Sequence, residues 1–334
     1  MQKITIKAVA EKAGVSTATV SYLLSGKKNI SSEVAIKIRE AIDELGYKPS
    51  ILARNLASNK NWTIGLYTSS TRNIRKDFFF NDLISGILDC LHEKRYQLQL
   101  YADYLNESTE NHPDLSMTQP IDGALIMNPR VDDVYLAYVK KQNIPFLVIG
   151  TPKDSEKTFY VDVDLVAGAY IATNHLLSKG HKKILFINGP SDYMQSVQHE
   201  QGIAMAFAEN RLKMNDRDII HIPMLEESAY EVLKSLGKGL MEYTAIIAFH
   251  DVFTLAIISY LKENNISIPQ DMAYISLGNT QICRICSPAL TSIDLAPYSI
   301  GYSSAEMLLE VIEKRRIQPS HTIIPAKLIE RDSV

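Results

Sequence analysis

A chain of 334 residues, 46 % of them hydrophobic, has the length for two or three domains and the apolar content of an ordinary globular protein. It holds no apolar run of about 18 residues and no N-terminal secretory segment, and its three cysteines are too few for a disulfide framework. These absences predict a cytoplasmic protein without a membrane span. The net charge of −3 hides an asymmetry: residues 1–60 hold ten Lys/Arg against five Asp/Glu, whereas the remainder holds 25 against 33. A basic head on an acidic body suits contact with phosphates by the head alone.

The first stretch with a clear pattern runs from Thr5 to Ser21. Thr5 is a predicted N-cap, and Ile6, Val9, Ala10 and Ala13 share one helical face. Gly14 follows where the helix has to end in a left-handed conformation. Ser16 restarts the chain as a second N-cap, and Val20, Leu23 and Leu24 give the second helix its apolar face. Two short helices about a tight glycine turn form either an ordinary helical hairpin or the unit whose second helix enters the DNA major groove. A third helix is predicted over Ser31–Leu45, capped by Ser31 or Ser32, with Val34, Ile38, Ala41, Ile42 and Leu45 as its stripe and Gly46 as its stop. Pro49 blocks continuation, and Ser50 can cap a very short further helix within residues 49–60. About nine residues are too few for a stable isolated helix in water, so this segment forms only when docked.

The blocks TIKAVAEKAGVSTATVS, ELGYKP and ARNLAS, in this order and spacing, resemble the lactose/galactose repressor (LacI/GalR) family of bacterial transcription regulators. The resemblance runs from residue 4 to about residue 331. It implies a helix-turn-helix headpiece (residues 1–48), a hinge helix and linker (49–60), and a two-subdomain α/β core like that of periplasmic sugar-binding proteins (61–334). In such a core the N-subdomain would cover about 62–161 plus 294–321 and the C-subdomain about 162–293 plus 322–334, with three chain crossings as the hinge. By the family's motif, Thr17, Ala18 and Tyr22 would read bases, and Thr5, Ser16, Thr19, Ser21 and Tyr47 would contact phosphates. Ala53, Arg54, Asn55 and Leu56 would sit at the minor groove of a pseudo-palindromic operator, with Leu56 as an apolar wedge between base steps. Most members carry Arg at the position of Tyr22. Arg reads guanine through a bidentate pair and Tyr cannot, so an altered half-site is expected, unless Tyr22 only packs on the backbone.

Past residue 61 strands and helices alternate. Strands are expected at Thr63–Thr68, Gln97–Tyr101, Gly123–Met127, Phe146–Ile149, Lys183–Asn188, Ile219–Ile222, Ala245–Phe249 and Met272–Leu277. Helices are expected near 79–95, 132–143, 166–179, 200–212, 227–237, 252–264 and 297–316. This alternation implies parallel sheets covered by helices on both faces. Small ligands bind such folds at the strand C-termini.

The family's effector contacts thin out in this chain. Where the resemblance implies an Arg three residues before a Gly, the stretch His199-Glu200-Gln201-Gly202 has His199. An Asp expected after the strand Met272–Leu277 falls on Gly278, followed by Asn279. An Asn-Asp pair appears as His250-Asp251, and a stacking aromatic as Met224 or Leu225. Candidate pocket residues are therefore Ser69, Ser70, Phe79, Phe80, Asn128, Tyr193, Gln195, His199, Met224, His250 and Asn279. The two histidines are either ligand contacts or ordinary polar groups. Two readings compete: an atypical small effector such as a sugar derivative, or a degenerate pocket with a protein corepressor, as in the catabolite-control branch.

The chain shows no heptad tail, so a homodimer is expected rather than a coiled-coil tetramer. Cys283 and Cys286 form a C-x-x-C, but a zinc site needs about four ligands. Two incidental thiols is the simpler reading, and neither metal nor cofactor is expected. No P-loop, G-x-S-x-G or dinucleotide fingerprint occurs, which argues against an enzyme. The implied protein is a dimeric, cytoplasmic and nucleoid-associated repressor of carbohydrate-related genes, governed by a small effector and without a membrane partner.

Overall fold

A computed structural model describes residues 4–25, 30–47, 60–68, 77–102, 120–130, 132–315, 318 and 320–334. The expected hinge helix, with Ala53, Arg54, Asn55 and Leu56, and the candidates Ser69 and Ser70 lie outside the described residues. The chain forms two units, Met1–Trp62 and Thr63–Val334.

In the first unit, α1 (Ile6–Ala13), α2 (Thr17–Ser25) and α3 (Ser32–Leu45) enclose a core of Val9, Ala10, Val20, Ile38, Ala41 and Tyr47. Gly14 ends α1 at φ 67° and ψ 31°, the left-handed geometry that a Cβ penalises, and Val15 N–H then bonds back to Ala10 C=O at 2.9 Å. Thr5 and Ser31 occupy the N-cap positions without a side-chain cap bond, whereas Ser16 Oγ accepts from Thr19 N–H at 3.1 Å.

The second unit holds two six-stranded sheets. Around the first run β1 (Thr63–Thr68), α4 (Phe78–Glu93), β2 (Gln97–Ala102), β3 (Gly123–Met127), α5 (Val134–Lys141), β4 (Phe146–Ile149) and β5 (Tyr160–Val163). The second follows as α6 (Leu165–Ser178), β6 (Ile184–Asn188), α7 (Met194–Glu209), β7 (Ile219–His221), α8 (Glu226–Leu236), β8 (Ala245–Ala248), α9 (Thr254–Glu263), β9 (Ala273–Gly278), α10 (Gln281–Ile285) and β10 (Thr291–Asp294). The chain then returns through α11 (Pro297–Ile312), β11 (His321–Ile324) and β12 (Lys327–Ile329). The strand orders are β11-β5-β4-β3-β1-β2 and β12-β10-β9-β8-β6-β7. Among the described residues all strand pairs in the two sheets are parallel except β10 with β12. β3, β6 and β8 are buried at every residue, because a parallel sheet covered on both faces needs a continuous apolar run.

Glycine sets one close helix crossing in each subdomain. A Cβ on Gly301 of α11 would strike the Leu83 carbonyl of α4, and one on Gly202 of α7 would strike the Val166 carbonyl of α6.

Four strands escaped the alternation pattern: β5, β10, β11 and β12. Each has three or four residues, too few to show a period, and each forms by pairing beside a strand already in place. They also move the subdomain limits. β5 completes the first sheet through Val163, β10 keeps residues up to Asp294 in the second, and β11 keeps the chain in the first sheet to Ile324. The crossings thus fall near 164, 295 and 325, two to four residues beyond the expected limits for the first and last. Helix α7 begins at Met194 instead of near 200. Its first two turns bury Ser196 and His199, polar residues that conceal the helical stripe. Among the described residues no helix is long and apolar enough to cross a membrane.

Candidate DNA interface and candidate effector cleft

On the headpiece, α2 turns Val20 fully inward and leaves Thr17, Ala18 and Tyr22 exposed. These three stand at i, i+1 and i+5, on the flank facing away from the core. Thr5 and Ser16 are exposed, and Thr19 and Ser21 are half-buried. Ser16 already spends its oxygen on Thr19, accepting its N–H and meeting its hydroxyl at 2.9 Å. Tyr47 is 8 % exposed and its ring packs in the headpiece core. Lys12 pairs with Glu44 and so ties α1 to α3.

In the second unit the two sheets aim their C-terminal strand ends at a common cleft, where the strand order reverses at β1/β3 and at β6/β8. The first subdomain lines it with Thr68, Asp77, Phe79, Phe80, Met127 and Asn128. Tyr193, Gln195, His199, Met224, Phe249 and His250 face them from the second, and Leu165 and Leu295 stand at the crossings. Eight sequence candidates therefore meet in one place: Phe79, Phe80, Asn128, Tyr193, Gln195, His199, Met224 and His250. Asn279 does not join them. Its amide oxygen accepts from Ser292 Oγ at 3.1 Å and from Arg331 at 2.6 Å, away from the cleft lining.

The cleft volume is about 30 Å³, room for a water molecule but far below the ~300 Å³ of common ligand sites. Direct bonds join its two sides. Gln195 Nε2 donates to Asn128 Oδ1 at 3.1 Å, and Met194 N–H to Pro129 C=O at 3.4 Å. Arg130 forms a backbone bridge with Tyr193, lies 5.3 Å from its ring centre and reaches Asp192 at 3.5 Å.

The histidines differ. His250 Nδ1 accepts from Val252 N–H at 3.2 Å, which leaves the proton of the neutral ring on Nε2, 3.9 Å from Asp77 Oδ1. Asp77 is held by capping α4, accepting from Phe80 N–H at 3.0 Å. His199 is 2 % exposed and meets Phe249 and Phe186 edge-on, and its Nδ1 is buried without a hydrogen-bond partner. Burial first, and His250 second, push its pKa down to about 3, so the ring is neutral at physiological pH.

The missing Asp at 278 has a steric reason. A Cβ on Gly278 would meet the Asp251 carboxylate at 2.6–2.7 Å. Asp251 is itself buried and accepts from Ser276 Oγ, from Thr280 N–H at 2.6 Å and from Cys283 Sγ at 3.2 Å. The C-x-x-C thiols are free, and burial beside Asp251 pushes the Cys283 thiol far up, making it unreactive. Among the described residues no group of three or more His, Cys, Asp or Glu could hold a metal.

Thr68, Asp77, Met127, Leu165, Phe249 and Leu295 were not among the sequence candidates. Phe249 and Met127 had a usable signal, since each stands at the end of an expected strand. Leu165 and Leu295 had none, because only the crossings bring them to the cleft.

A helix-turn-helix joined to a two-lobed, parallel-sheet core defines a class of DNA-binding regulators. The family described as bacterial regulatory proteins, lacI family, matches residues 5–50, and the periplasmic binding protein-like domain matches residues 173–334. The chain is 30 % identical over 333 residues to the HTH-type transcriptional repressor PurR of Actinobacillus pleuropneumoniae serotype 3 (strain JL03), covering 99 % of this chain and 98 % of that one. It is 28 % identical over 332 residues to catabolite control protein A of Priestia megaterium, with 99 % of each covered. The structure of a lac repressor dimer bound to operator and the anti-inducer ONPF shares its fold, with a TM-score of 0.84 at 20 % identity over 99 % of both chains. The chain belongs to the LacI family and is a DNA-binding transcriptional repressor rather than an enzyme.

Proposed function

We infer that the protein acts as a homodimer on a pseudo-palindromic operator, with its operator affinity set by a small effector in the inter-subdomain cleft. Thr17, Ala18 and Tyr22 read base edges, while Thr5, Ser16, Thr19 and Ser21, with the hydroxyl end of Tyr47, contact phosphates. Ala53, Arg54, Asn55 and Leu56 serve the minor groove. The observation that supports the effector reading is the cleft lined from both subdomains and bridged by Gln195 and Asn128. A ligand that prefers one separation of the lobes shifts the equilibrium between them, and the coupling equals its differential affinity. The effector is a sugar or sugar derivative held without the family's Arg and Asp, and the target genes are carbohydrate-related.

A second reading has its own support: the narrow cleft, the lost polar anchors and the similarity to a catabolite control protein fit a protein corepressor. Calorimetry against a panel of sugars and sugar phosphates separates the two, since uniform silence favours the corepressor. The headpiece reading is tested by selection on randomised half-sites. Wild type should enrich an altered half-site, and Tyr22→Arg should restore guanine at the contacted position with about 1–3 kcal/mol of discrimination. Identical selections by the two proteins would show that residue 22 reads nothing.

A further inference from the structure

Among the described residues Asp77 is the one carboxylate in the cleft lining, and no Lys or Arg stands with it there. The other polar lining groups are hydroxyls, amides and the two histidines. Asp77 occupies the N-cap of α4, where its Oδ1 accepts from Phe80 N–H. The same oxygen lies 3.9 Å from His250 Nε2, too far for a hydrogen bond. The cap engages only one of the two carboxylate oxygens. The side chain remains 22 % exposed, so the other is within reach of a ligand.

The surroundings do not supply a cation to match it. Arg130, beside Asn128, is turned to Asp192 and to the Tyr193 ring. The chain neighbours of Leu165, His250 and Leu295 are also aspartates. Asp164 accepts from Ala167 N–H at 2.8 Å, Asp251 from Thr280 N–H and Asp294 from Ala296 N–H at 2.9 Å. An anionic ligand group placed here meets negative charge in a space with little water to screen it. An ammonium group meets a carboxylate and the rings of Phe79, Phe80 and Phe249, and phenyl faces attract a cation. Across the cleft, His199 Nδ1 is buried without a partner, a state that is costly until a ligand atom completes it.

We propose that the effector is a hydroxylated amine, with its ammonium on Asp77 among the three phenyl rings and a hydroxyl on His199. An amino sugar has this chemistry. The proposal rests on the effector reading above and narrows it: phosphorylated and acidic sugars are rejected. It also gives the ligand a grip on both lobes, because Asp77 belongs to the first subdomain and His199 to the second. A ligand held at both ends prefers the closed separation of the lobes.

Titration calorimetry of the full chain with matched hexoses tests the charge directly. Each hexose is supplied as the neutral sugar, the 2-amino sugar and the uronic acid, below the pKa of the amine. In wild type the amino form should bind about tenfold or more tighter than its neutral parent. Asp77→Asn and Asp77→Ser remove the charge but keep a capping side chain on α4, and either should collapse that margin. Equal binding of amino and neutral forms, or preference for the acid, overturns the proposal and leaves the effector reading standing. A margin that survives in both variants overturns it as well, since the ammonium is then not on Asp77. If all the matched hexoses are silent, the compound that binds in the wider sugar panel decides, and one without an amine overturns the proposal. Silence throughout removes the effector reading and this proposal with it.

Discussion

The headpiece and the cleft carry their chemistry in opposite ways. Thr17, Ala18 and Tyr22 lie within six consecutive positions, exposed on one helix, over a core drawn from fewer than fifty residues. The cleft draws on residues from Thr68 to Leu295, and its two histidines are almost wholly buried. A headpiece of this kind stands or falls with a few local interactions, because a small unit buries little apolar surface. The cleft is tolerant of local losses but sensitive to the charge of each buried group, since water is not there to screen it.

The largest effect that tests this contrast is loss of the headpiece core. Ile38 is fully buried in it, and Ile38→Ala should cost about 2–5 kcal/mol. That is enough to unfold a small unit, so scanning calorimetry should lose the headpiece transition and keep the core transition unchanged. Leu83→Ala, equally buried against α11, should lower the core transition without abolishing it. A headpiece that melts normally in Ile38→Ala would break the contrast.

A smaller effect concerns the cleft alone. The pKa of His199 is depressed to about 3 in the fold and lies near 6.5 when unfolded, so the unfolded chain binds the extra proton below pH 6.5. The stability involved is present above 6.5 and is lost as the pH falls toward 3, about 2 kcal/mol between pH 7 and 5. His199→Gln cannot titrate, and its core melting temperature should fall less over that range than that of wild type. Asp162 acts with the opposite sign, because its raised pKa favours the fold at low pH and that gain is lost as the pH rises through about 6. The difference between wild type and His199→Gln isolates the histidine, and parallel pH profiles would refute its burial as a neutral ring.

The smallest effect is the cap on α2. Ser16→Ala removes the bond to Thr19 N–H and should cost about 1 kcal/mol, confined to the headpiece transition. A shift in the core transition instead would show that the two units do not melt separately.

The cleft was legible where residues end a strand. Asn128 and His250 follow β3 and β8, and the strands were readable as buried apolar runs. It was illegible along α7, where Ser196 and His199 point inward and Met194–Glu200 shows no apolar stripe. Asn279 was misplaced for a related reason. Its neighbourhood is set by Arg331, 52 residues further on, which no local pattern connects to it.

The Ser16 cap, the terminating glycines Gly14 and Gly46, and helical periodicity fix the headpiece, because each of those signals acts within four residues along the chain. Apolar runs fix the central strands, because a sheet buried on both faces admits little else. Only the tertiary structure decided the rest: that Asp251 fills the space over Gly278, that Tyr47 is core, and that Asn279 meets Arg331. These contacts join residues 27 or more positions apart, or depend on which face a short strand turns inward. Their energies come from burial, which exists only once the lobes have packed.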